Sequence, residues 1–252
     1  MVEHDTQVAI VTGASRGLGL VIAQALAHRG YALVMNARHH ESLQDAARLV
    51  AAGSNLRTAA WSGGKVVAID GDVTDTGTRE RLVAAARELG GLDILVNNAS
   101  ELGGVGPLIQ FDVPRFGRLF PVNVGAPLAL ITLAVPLLAV RSGLIVNVTS
   151  DAATAAYPGW GPYGATKAAL ELLTRTLAVE LRDIGVSAVL VDPGDMRTRM
   201  HQEAFPGEDI SDRPLPDVTR PFWHWLFAQP PVSISGHRFA AQEKEAAWLQ
   251  QA

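Results

Sequence analysis

The stretch Val8-Ala9-Ile10-Val11-Thr12-Gly13-Ala14-Ser15-Arg16-Gly17-Leu18-Gly19 decides the fold of this chain. Its first four residues are apolar and predict a buried strand, its glycines predict a tight turn, and the apolar pattern from Leu18 to Arg29 predicts a helix. A glycine-rich turn between a strand and a helix directs backbone N–H groups toward an anion such as a pyrophosphate. We therefore predict a dinucleotide-binding turn formed by Gly13, Ser15, Arg16, Gly17, Leu18 and Gly19.

Short apolar runs continue to alternate with helical patterns along the chain. Strand-like runs cover residues 8–11, 32–35, 66–69, 94–96, 144–148 and 186–191, and helical patterns cover residues 18–29, 41–52, 76–89, 113–139 and 162–183. Near-continuous Val, Ile and Leu runs separated by helices indicate buried parallel strands. We predict an α/β fold in which residues 1–252 form a single domain, a Rossmann-type doubly wound parallel sheet with helices on both faces. Residues 53–64 are interpreted as a long surface loop.

The composition excludes several classes of function. The 252 residues include no cysteine, which excludes disulfides and thiolate metal sites. A net charge of -4 argues against nucleic-acid binding, because phosphate backbones attract basic proteins. His39 and His40 have no carboxylate at ligand spacing, so we expect a solvated loop there and no metal.

Two segments bear on localisation and assembly. Residues Met1–Gln7 are short and polar without a signal-peptide pattern, so we expect a cytoplasmic protein. The run Val124–Val140 carries no charge, but it is shorter than a membrane span and contains Pro127 and Pro136. We interpret this run as a buried or subunit-contact helix, and we expect no membrane association and a homodimer or homotetramer.

The end of the second predicted strand bears on the choice of cofactor. Sites that prefer NAD carry an acidic residue about 20 positions after the glycines, where it binds the ribose 2′-hydroxyl. This chain has Asn36-Ala37-Arg38 at that point, with no acid. A guanidinium pairs with a 2′-phosphate in a fork geometry, and Arg16 in the glycine turn is placed to close on the same phosphate. We therefore predict NADP(H) as the cofactor, bound in part by Asn36 and Arg38.

Tyr163 and Lys167 stand four residues apart at the head of a predicted helix, so their side chains share one face. A free phenol has a pKa near ~10, and a neighbouring cation lowers it. We therefore expect Lys167 to lower the pKa of Tyr163, so that the phenol exchanges a proton with a substrate oxygen near neutral pH. Ser150 ends an apolar run and places a hydroxyl at the same edge of the predicted sheet.

Together these motifs resemble the short-chain dehydrogenase/reductase family over nearly the full chain. The matching motifs follow the family's order and spacing: the turn 12–19, Asp72-Val73, Asn97-Asn98-Ala99, Asn123, Ser150, Tyr163-Gly164-Ala165-Thr166-Lys167, Pro193-Gly194 and Thr198. The resemblance implies an NADP(H)-dependent oxidoreductase that interconverts a ketone or aldehyde with an alcohol.

The resemblance also implies a role for each matching residue. Tyr163 would be the general acid in reduction and the base in oxidation, and Lys167 would tune it and bind the nicotinamide ribose. Ser150 would hold the substrate oxygen, and Asn123 would anchor a water that links Lys167 to solvent. Thr12 and Asn97 would tie strand ends together. By the same comparison, the cofactor would also be contacted by Asp72, Val73, Asn98, Ala99, Pro193, Gly194, Met196 and Thr198.

The chain departs from the family pattern at two places. Ser100 stands where the family usually has the glycine of Asn-Asn-Ala-Gly, which would alter the loop over the site. Residues Ile234–Phe239 and a charged, helix-like end replace the common final strand with its Asp-Gly-Gly tail. The second departure argues against the tetramer packing that the family forms through its last strand.

Residues 195–214 predict a substrate lid, because a loop of this length at the ligand edge of a sheet is commonly functional. Met196, Met200 and Phe205 would cover an apolar substrate. The basic residues Arg197, Arg199 and His201 would hold an anionic tail or pair with the nearby acids Glu203, Glu208, Asp209 and Asp212. We expect medium-sized apolar or aromatic carbonyl compounds to be better substrates than small sugars. Trp223, Trp225 and Phe227 are predicted to pack in the core.

Two other functions fit the same motifs. A catalytically silent protein on this scaffold would bind a dinucleotide as a sensor or scaffold, but it has no physical need for all of Asn123, Ser150, Tyr163 and Lys167. An isomerase or dehydratase on the same scaffold would keep these residues, and product analysis distinguishes it from an oxidoreductase.

Overall fold

The computed structural model describes residues 6–53 and 65–251. Within these residues, seven strands form one parallel sheet in the order β3-β2-β1-β4-β5-β6-β7. The strands are β1 (Val8–Thr12), β2 (Ala32–Ala37), β3 (Val66–Asp70), β4 (Ile94–Asn97), β5 (Leu144–Val148), β6 (Ser187–Asp192) and β7 (Arg238–Ala240). The strand order reverses between β1 and β4, and ligands bind at such a switch point, outside the carboxyl ends of the strands.

Helices connect the strands. They are α1 (Gly17–His28), α2 (His40–Gly53), α3 (Thr76–Glu88), α4 (Val113–Phe120), α5 (Ala126–Arg141), α6 (Gly161–Glu180), α7 (Arg199–Ala204), α8 (Arg220–Leu226), α9 (Pro231–Ile234) and α10 (Glu245–Gln251). Single 3₁₀ turns lie at Leu108–Gln110, Asp151–Ala153, Arg182–Ile184 and Pro216–Thr219.

Both faces of the sheet are covered, as the near-continuous apolar runs predict. On one face, α1, α2 and α8 bury a core that includes Ile22, Leu43 and Trp223. On the other face, α3 and α5 bury a second core that includes Leu82 and Leu138. The predicted doubly wound α/β fold is therefore confirmed.

Two predicted boundaries are wrong. The single helix expected over residues 113–139 is α4 and α5 joined by a π-helical turn, Pro121–Gly125, and α5 runs through Pro136 to Arg141. A short final strand is present despite the unusual sequence around residues 234–239, because β7 pairs with β6 through Leu190 to Asp192. The interpretation of residues 53–64 as a loop falls almost wholly outside the described residues.

The segment Phe116–Arg141 is, among the described residues, long and apolar enough to cross a membrane by length and composition alone. Core helices pass the same test, and Leu130, Ile131 and Ala134 of this segment pack in the core beneath the sheet. The segment is therefore weak evidence for a membrane span.

Trp223, Trp225 and Phe227 are buried, as predicted from their helical pattern. They belong to an aromatic group at the end of the sheet, in which Trp225 lies 5.3 Å from Phe239 of β7 between ring centroids. This packing holds the C-terminal strand against the rest of the sheet.

Candidate active site

A cavity of about 1210 Å³ lies along the carboxyl ends of the strands. It is lined by the loops that follow β1, β2, β3, β4, β5 and β6. With the exception of Asn123, every residue predicted to bind the cofactor or take part in catalysis lines this one cavity. The sheet thus brings together side chains that are up to about 180 positions apart in the sequence.

The glycine turn has the shape that a phosphate group requires. Gly13 and Gly17 have φ of 67° and 55°, which favour glycine. A Cβ at Gly19 would lie 2.2 Å from the carbonyl oxygen of Gly13, so the turn and α1 touch backbone to backbone. Helix α1 begins at Gly17 without a side-chain cap from Arg16, which leaves its first N–H groups available to an anion. The turn therefore fits a dinucleotide pyrophosphate.

Thr12 and Asn97 tie strand ends together, as expected. The Thr12 hydroxyl donates to the carbonyl oxygen of Val96 at 3.3 Å and accepts from the backbone N–H of Asn98 at 3.0 Å. Asn97 donates through Nδ2 to Oδ1 of Asn147 at 2.8 Å. These bonds fix the ends of β1, β4 and β5 that carry the site.

At the outer end of the cavity, the side chain of Asn36 is buried and donates to the carbonyl oxygens of Ile69 and Gly71 at 3.0 and 3.1 Å. Its amide donors are therefore used within the protein, but Asn36 also lines the cavity, and its contact with the cofactor stays a prediction. Arg38 and Arg16 are exposed at this end.

Asn123 lies in the π-helical turn, and its side chain is fully engaged. Its Oδ1 accepts from the Ser100 hydroxyl at 3.0 Å and from the backbone N–H of Glu101 at 2.8 Å. Its Nδ2 donates to the Glu101 carbonyl oxygen at 2.9 Å and to the Thr166 hydroxyl at 3.0 Å. Asn123 therefore joins the segment after β4 to α6, behind the wall of the cavity.

Ser150 follows β5 at the inner end of the cavity. Its hydroxyl donates to Oδ1 of Asp151 at 3.0 Å and accepts from the backbone N–H of Ala152 at 3.2 Å. Asp151 also accepts at Oδ2 from the Tyr157 hydroxyl at 2.7 Å. The Ser150 hydroxyl is thus held in place at the cavity wall.

Tyr163 and Lys167 lie one turn apart on α6, and both are buried. Lys167 donates through Nζ to the carbonyl oxygen of Val148 at 2.9 Å and lies 5.5 Å from the centre of the Tyr163 ring. The i, i+4 spacing therefore places the ammonium beside the phenol as predicted.

The expected direction of the Tyr163 pKa is wrong for this arrangement. Burial raises the pKa of Tyr163 above its ordinary value, and interaction with the hydroxyl of Ser100 lowers it by less. Burial also lowers the pKa of Lys167 to about 8, against a rise from the Asp192 carboxylate. Burial outweighs the lowering by the Ser100 and Ser150 hydroxyls, so the phenol stays protonated at neutral pH.

Ser100 contributes a hydroxyl to the reaction centre, because it bonds Asn123 and interacts with Tyr163. In the sequence, the signal for this role was that Ser100 replaces the glycine of the Asn-Asn-Ala-Gly pattern. That replacement does not by itself predict an interaction with Tyr163.

Sequence reasoning missed an ionic cluster beneath Ser150. Arg238 of β7 donates through Nε to Oε1 of Glu171 at 2.8 Å and through Nη2 to Oδ2 of Asp192 at 3.0 Å. The same Nη2 donates to the carbonyl oxygen of Ser150 at 3.1 Å. Burial raises the pKa of Asp192, although Arg238 opposes this shift. One guanidinium therefore joins β5, β6, β7 and α6 at the site.

The predicted lid contains the short helix α7. Met200 and Phe205 pack with Trp160 against a small buried cluster that contains Tyr163, and the Trp160 ring lies 5.9 Å from the Tyr163 ring and 6.1 Å from that of Phe205. Met196 instead packs in the main core. Two of the three apolar side chains predicted to cover the substrate therefore stand at the phenol.

Of the basic lid residues, Arg199 pairs with Glu203 at 2.8 Å on the same helix. His201 is buried, and its ring lies 4.9 Å from that of Phe205. The surface pairing considered for these residues is thus observed for Arg199.

Residues 7–209 match the family model described as short chain dehydrogenase. The Bos taurus protein named Dehydrogenase/reductase SDR family member 4 is 36% identical over 199 residues, which cover 77% of this chain and 67% of that protein. A structure of a putative short chain dehydrogenase from Pseudomonas syringae superposes with a TM-score of 0.84 at 30% identity, covering 96% of this chain and 97% of that one.

A second structure extends the comparison to a bound cofactor analogue. The alcohol dehydrogenase from the archaeon Thermococcus sibiricus, complexed with 5-hydroxy-NADP, superposes with a TM-score of 0.80 at 27% identity, over 95% of this chain and 98% of that one. The family model covers most of this chain, and the sheet order agrees with the fold. The protein therefore belongs to the short-chain dehydrogenase/reductase family, whose members are oxidoreductases that bind a nicotinamide dinucleotide and act on small molecules.

Proposed function

We propose that this protein is an NADP(H)-dependent oxidoreductase that interconverts a ketone or aldehyde with an alcohol. The observation that carries the proposal is the phenol of Tyr163, which lines the same cavity as the glycine turn, Ser150 and Lys167. The cofactor supplies a hydride when bound. The chain must then supply a proton and orient the substrate oxygen.

Tyr163 is the proton donor in reduction and the acceptor in oxidation. Its raised pKa keeps the phenol protonated at neutral pH, which suits the donor role. The Ser150 hydroxyl donates to Asp151 and accepts from the N–H of Ala152, and it would turn its hydrogen from Asp151 to the substrate oxygen to hold that oxygen beside the phenol. Lys167, fixed by Val148, places a positive charge beside the phenolate that remains after proton transfer.

The exposed charges at the outer end of the cavity support NADP(H) over NAD(H). Arg38 follows β2 where NAD-preferring sites carry an acid, and Arg16 lies in the glycine turn. A guanidinium matches a phosphate in a bidentate geometry. The Thermococcus sibiricus relative bound to 5-hydroxy-NADP is consistent with this choice.

The inner end of the cavity supports an apolar substrate. Leu102, Trp160, Met200 and Phe205 surround the phenol with apolar surface. An aromatic or aliphatic group gains free energy by leaving water for such a wall, whereas a polyhydroxylated chain loses hydrogen bonds there. We infer that segment 195–214 closes over medium-sized apolar or aromatic carbonyl compounds.

The test is a panel of carbonyl compounds incubated with the purified protein and NADPH or NADH, with the absorbance of the reduced nicotinamide followed over time. We expect consumption of NADPH and formation of the matching alcohol, with a higher kcat/KM for aromatic ketones than for sugars of similar size. A preference for sugars would contradict the apolar site. Turnover of substrate without any change in the nicotinamide would indicate an isomerase or dehydratase.

We also propose that the protein is a homodimer or homotetramer in solution. Apolar side chains stand exposed on α5 and α6, among them Val140, Leu172 and Val179. Contiguous exposed apolar surface is uncommon on monomers. Light scattering at micromolar protein tests this, and a monomer mass would refute it.

A further inference from the structure

Arg38 already has a carboxylate partner at the mouth of the cavity. Its Nη1 lies 2.5 Å from Oε1 of Glu101, and the two side chains are 54% and 30% exposed. Both residues line the cavity, Arg38 from the loop after β2 and Glu101 from the segment after β4. The guanidinium that the proposed function assigns to a 2′-phosphate is thus shared with a carboxylate of the protein.

The backbone of Glu101 is fixed, although its side chain is partly exposed. Its N–H donates to Oδ1 of Asn123 at 2.8 Å, and its carbonyl oxygen accepts from Nδ2 of Asn123 at 2.9 Å. Asn123 itself is buried. Only the side-chain torsions of Glu101 are free to change, so its carboxylate remains within reach of the outer end of the cavity.

The last two residues of β2 offer no carboxylate to a ribose hydroxyl. Asn36 is buried and bonded to Ile69 and Gly71, and Ala37 has no polar side chain. A carboxylate that accepts the ribose 2′-hydroxyl is the usual device of an NAD site. Glu101 places a carboxylate next to Arg38 in space, although it stands 63 residues later in the chain.

We propose that Glu101 sets the nucleotide selectivity of this site by competing with the 2′-phosphate of NADP(H) for Arg38 and by accepting the 2′-hydroxyl of NAD(H). The proposal rests on the proposed function at one point, which is that the 2′-position of the ribose lies beside Arg38. A phosphate must displace the carboxylate from the guanidinium and then stays near a like charge. A hydroxyl donates to the carboxylate while the pair with Arg38 remains intact.

This competition narrows the preference for NADP(H) that Arg38 and Arg16 would produce alone. Removal of the Glu101 charge is therefore expected to strengthen NADPH binding and weaken NADH binding at once. A general change in surface charge would instead strengthen the binding of both nucleotides, because NADH also carries the negatively charged pyrophosphate.

The experiment titrates NADPH and NADH into the wild-type protein and into Glu101→Gln and Glu80→Gln by calorimetry. Glutamine keeps the size of Glu101, and the bonds to Asn123 use only its backbone. We expect Glu101→Gln to bind NADPH about three- to tenfold more tightly and NADH about threefold more weakly, which are modest changes because the pair is partly exposed. Glu80 is exposed on α3 and does not line the cavity. Glu80→Gln loses the same charge and should keep the wild-type ratio of affinities.

A second measurement uses Arg38→Met with and without Glu101→Gln, because residues that share a partner act non-additively. In the Arg38→Met variant, Glu101 has no guanidinium for which to compete with the 2′-phosphate. Glu101→Gln should therefore strengthen NADPH binding less than twofold in that variant. Thermal unfolding checks that each variant is folded.

The outcomes separate this inference from the proposed function. If the ratio of NADPH to NADH affinity is the same in Glu101→Gln as in Glu80→Gln, the role of Glu101 is refuted, whereas the preference for NADP(H) stands. If the wild-type protein binds both nucleotides equally and Glu101→Gln shifts the ratio toward NADPH, the preference is refuted and the role of Glu101 stands.

Discussion

The two ends of the cavity are built differently. At the reaction end, Tyr163, Lys167 and Asn123 are buried, and the polar atoms of Lys167 and Asn123 have hydrogen-bond partners within the protein. At the outer end, Arg38 and Glu101 form an ion pair that solvent reaches. Both ends lie at the carboxyl edge of the same sheet.

Interactions at the reaction end are therefore harder to replace than those at the outer end. In a buried site the effective dielectric constant is low, so the loss of a partner leaves a polar group without water or protein to replace it. At an exposed site, water and salt screen the charges, so a substitution changes affinity only moderately. We therefore expect large effects at the reaction end and small, salt-dependent effects at the outer end.

The largest effect is expected for Tyr163→Phe. The change removes the transferable proton and little volume, so kcat for carbonyl reduction should fall about 10²- to 10⁴-fold, the usual size of a general acid's contribution. The dissociation constant for NADPH should stay within about twofold, because the glycine turn and Arg38 are untouched. A variant that keeps more than about a tenth of the wild-type rate would show that another group donates the proton.

The ionic cluster beneath Ser150 allows buried and exposed charge pairs to be compared at one carboxylate, because Glu171 has a partly buried partner and an exposed partner. Arg238 and Arg175 both bond Glu171, and their side chains are 25% and 48% exposed. Arg238→Gln leaves the buried carboxylates of Glu171 and Asp192 with less compensation, so we expect a loss of about 2–3 kcal/mol in the free energy of unfolding.

The matched control is Arg175→Gln, for which we expect a loss of less than about 1 kcal/mol, since an exposed pair contributes little. Urea denaturation of both variants measures the two losses. Equal losses would mean that burial does not distinguish the two partners of Glu171.

The pH dependence of reduction tests the buried charge of Lys167. Because burial lowers its pKa to about 8, the ammonium is present below that pH and is lost as the pH rises through it. The raised pKa of Tyr163 keeps the proton donor in place over the same range. We expect kcat/KM, which reports on the free enzyme, to be level below pH 8 and to fall up to about tenfold per pH unit above it. A rate that rises through pH 8 would contradict this assignment.

The smallest effect is expected for Arg38→Ala at the outer end. Loss of the fork should weaken NADPH binding about three- to tenfold at low ionic strength, and the difference from wild type should shrink in 1 M salt because exposed charges are screened. NADH binding should change by less than about twofold. Calorimetric titration at two salt concentrations measures this, and a loss as large for NADH as for NADPH would place Arg38 away from the 2′-phosphate.

The features of this protein that depend on local pattern could be predicted from its sequence. Strands β1, β2, β4, β5 and β6 are buried on both faces, so they appear as apolar runs, and the glycine turn is recognisable because its φ values exclude most other residues. The proximity of Tyr163 and Lys167 also follows from helix periodicity alone. The positions of the turn and of this pair along the chain were enough to predict one site at the carboxyl edge.

Features that depend on contacts between distant segments could not be predicted from the sequence and are visible only in the folded chain. The strand β7 is three residues long and is held by its pairing with β6 and by aromatic packing, neither of which its sequence displays. The π turn at Asn123 and the pairing of Arg38 with Glu101 join segments that are far apart in the chain. The direction of the Tyr163 pKa shift depends on burial, which sequence spacing does not measure. The local sequence pattern thus predicts where the reactive groups lie, whereas burial and long-range contacts in the whole fold determine their charge and their hydrogen-bond partners.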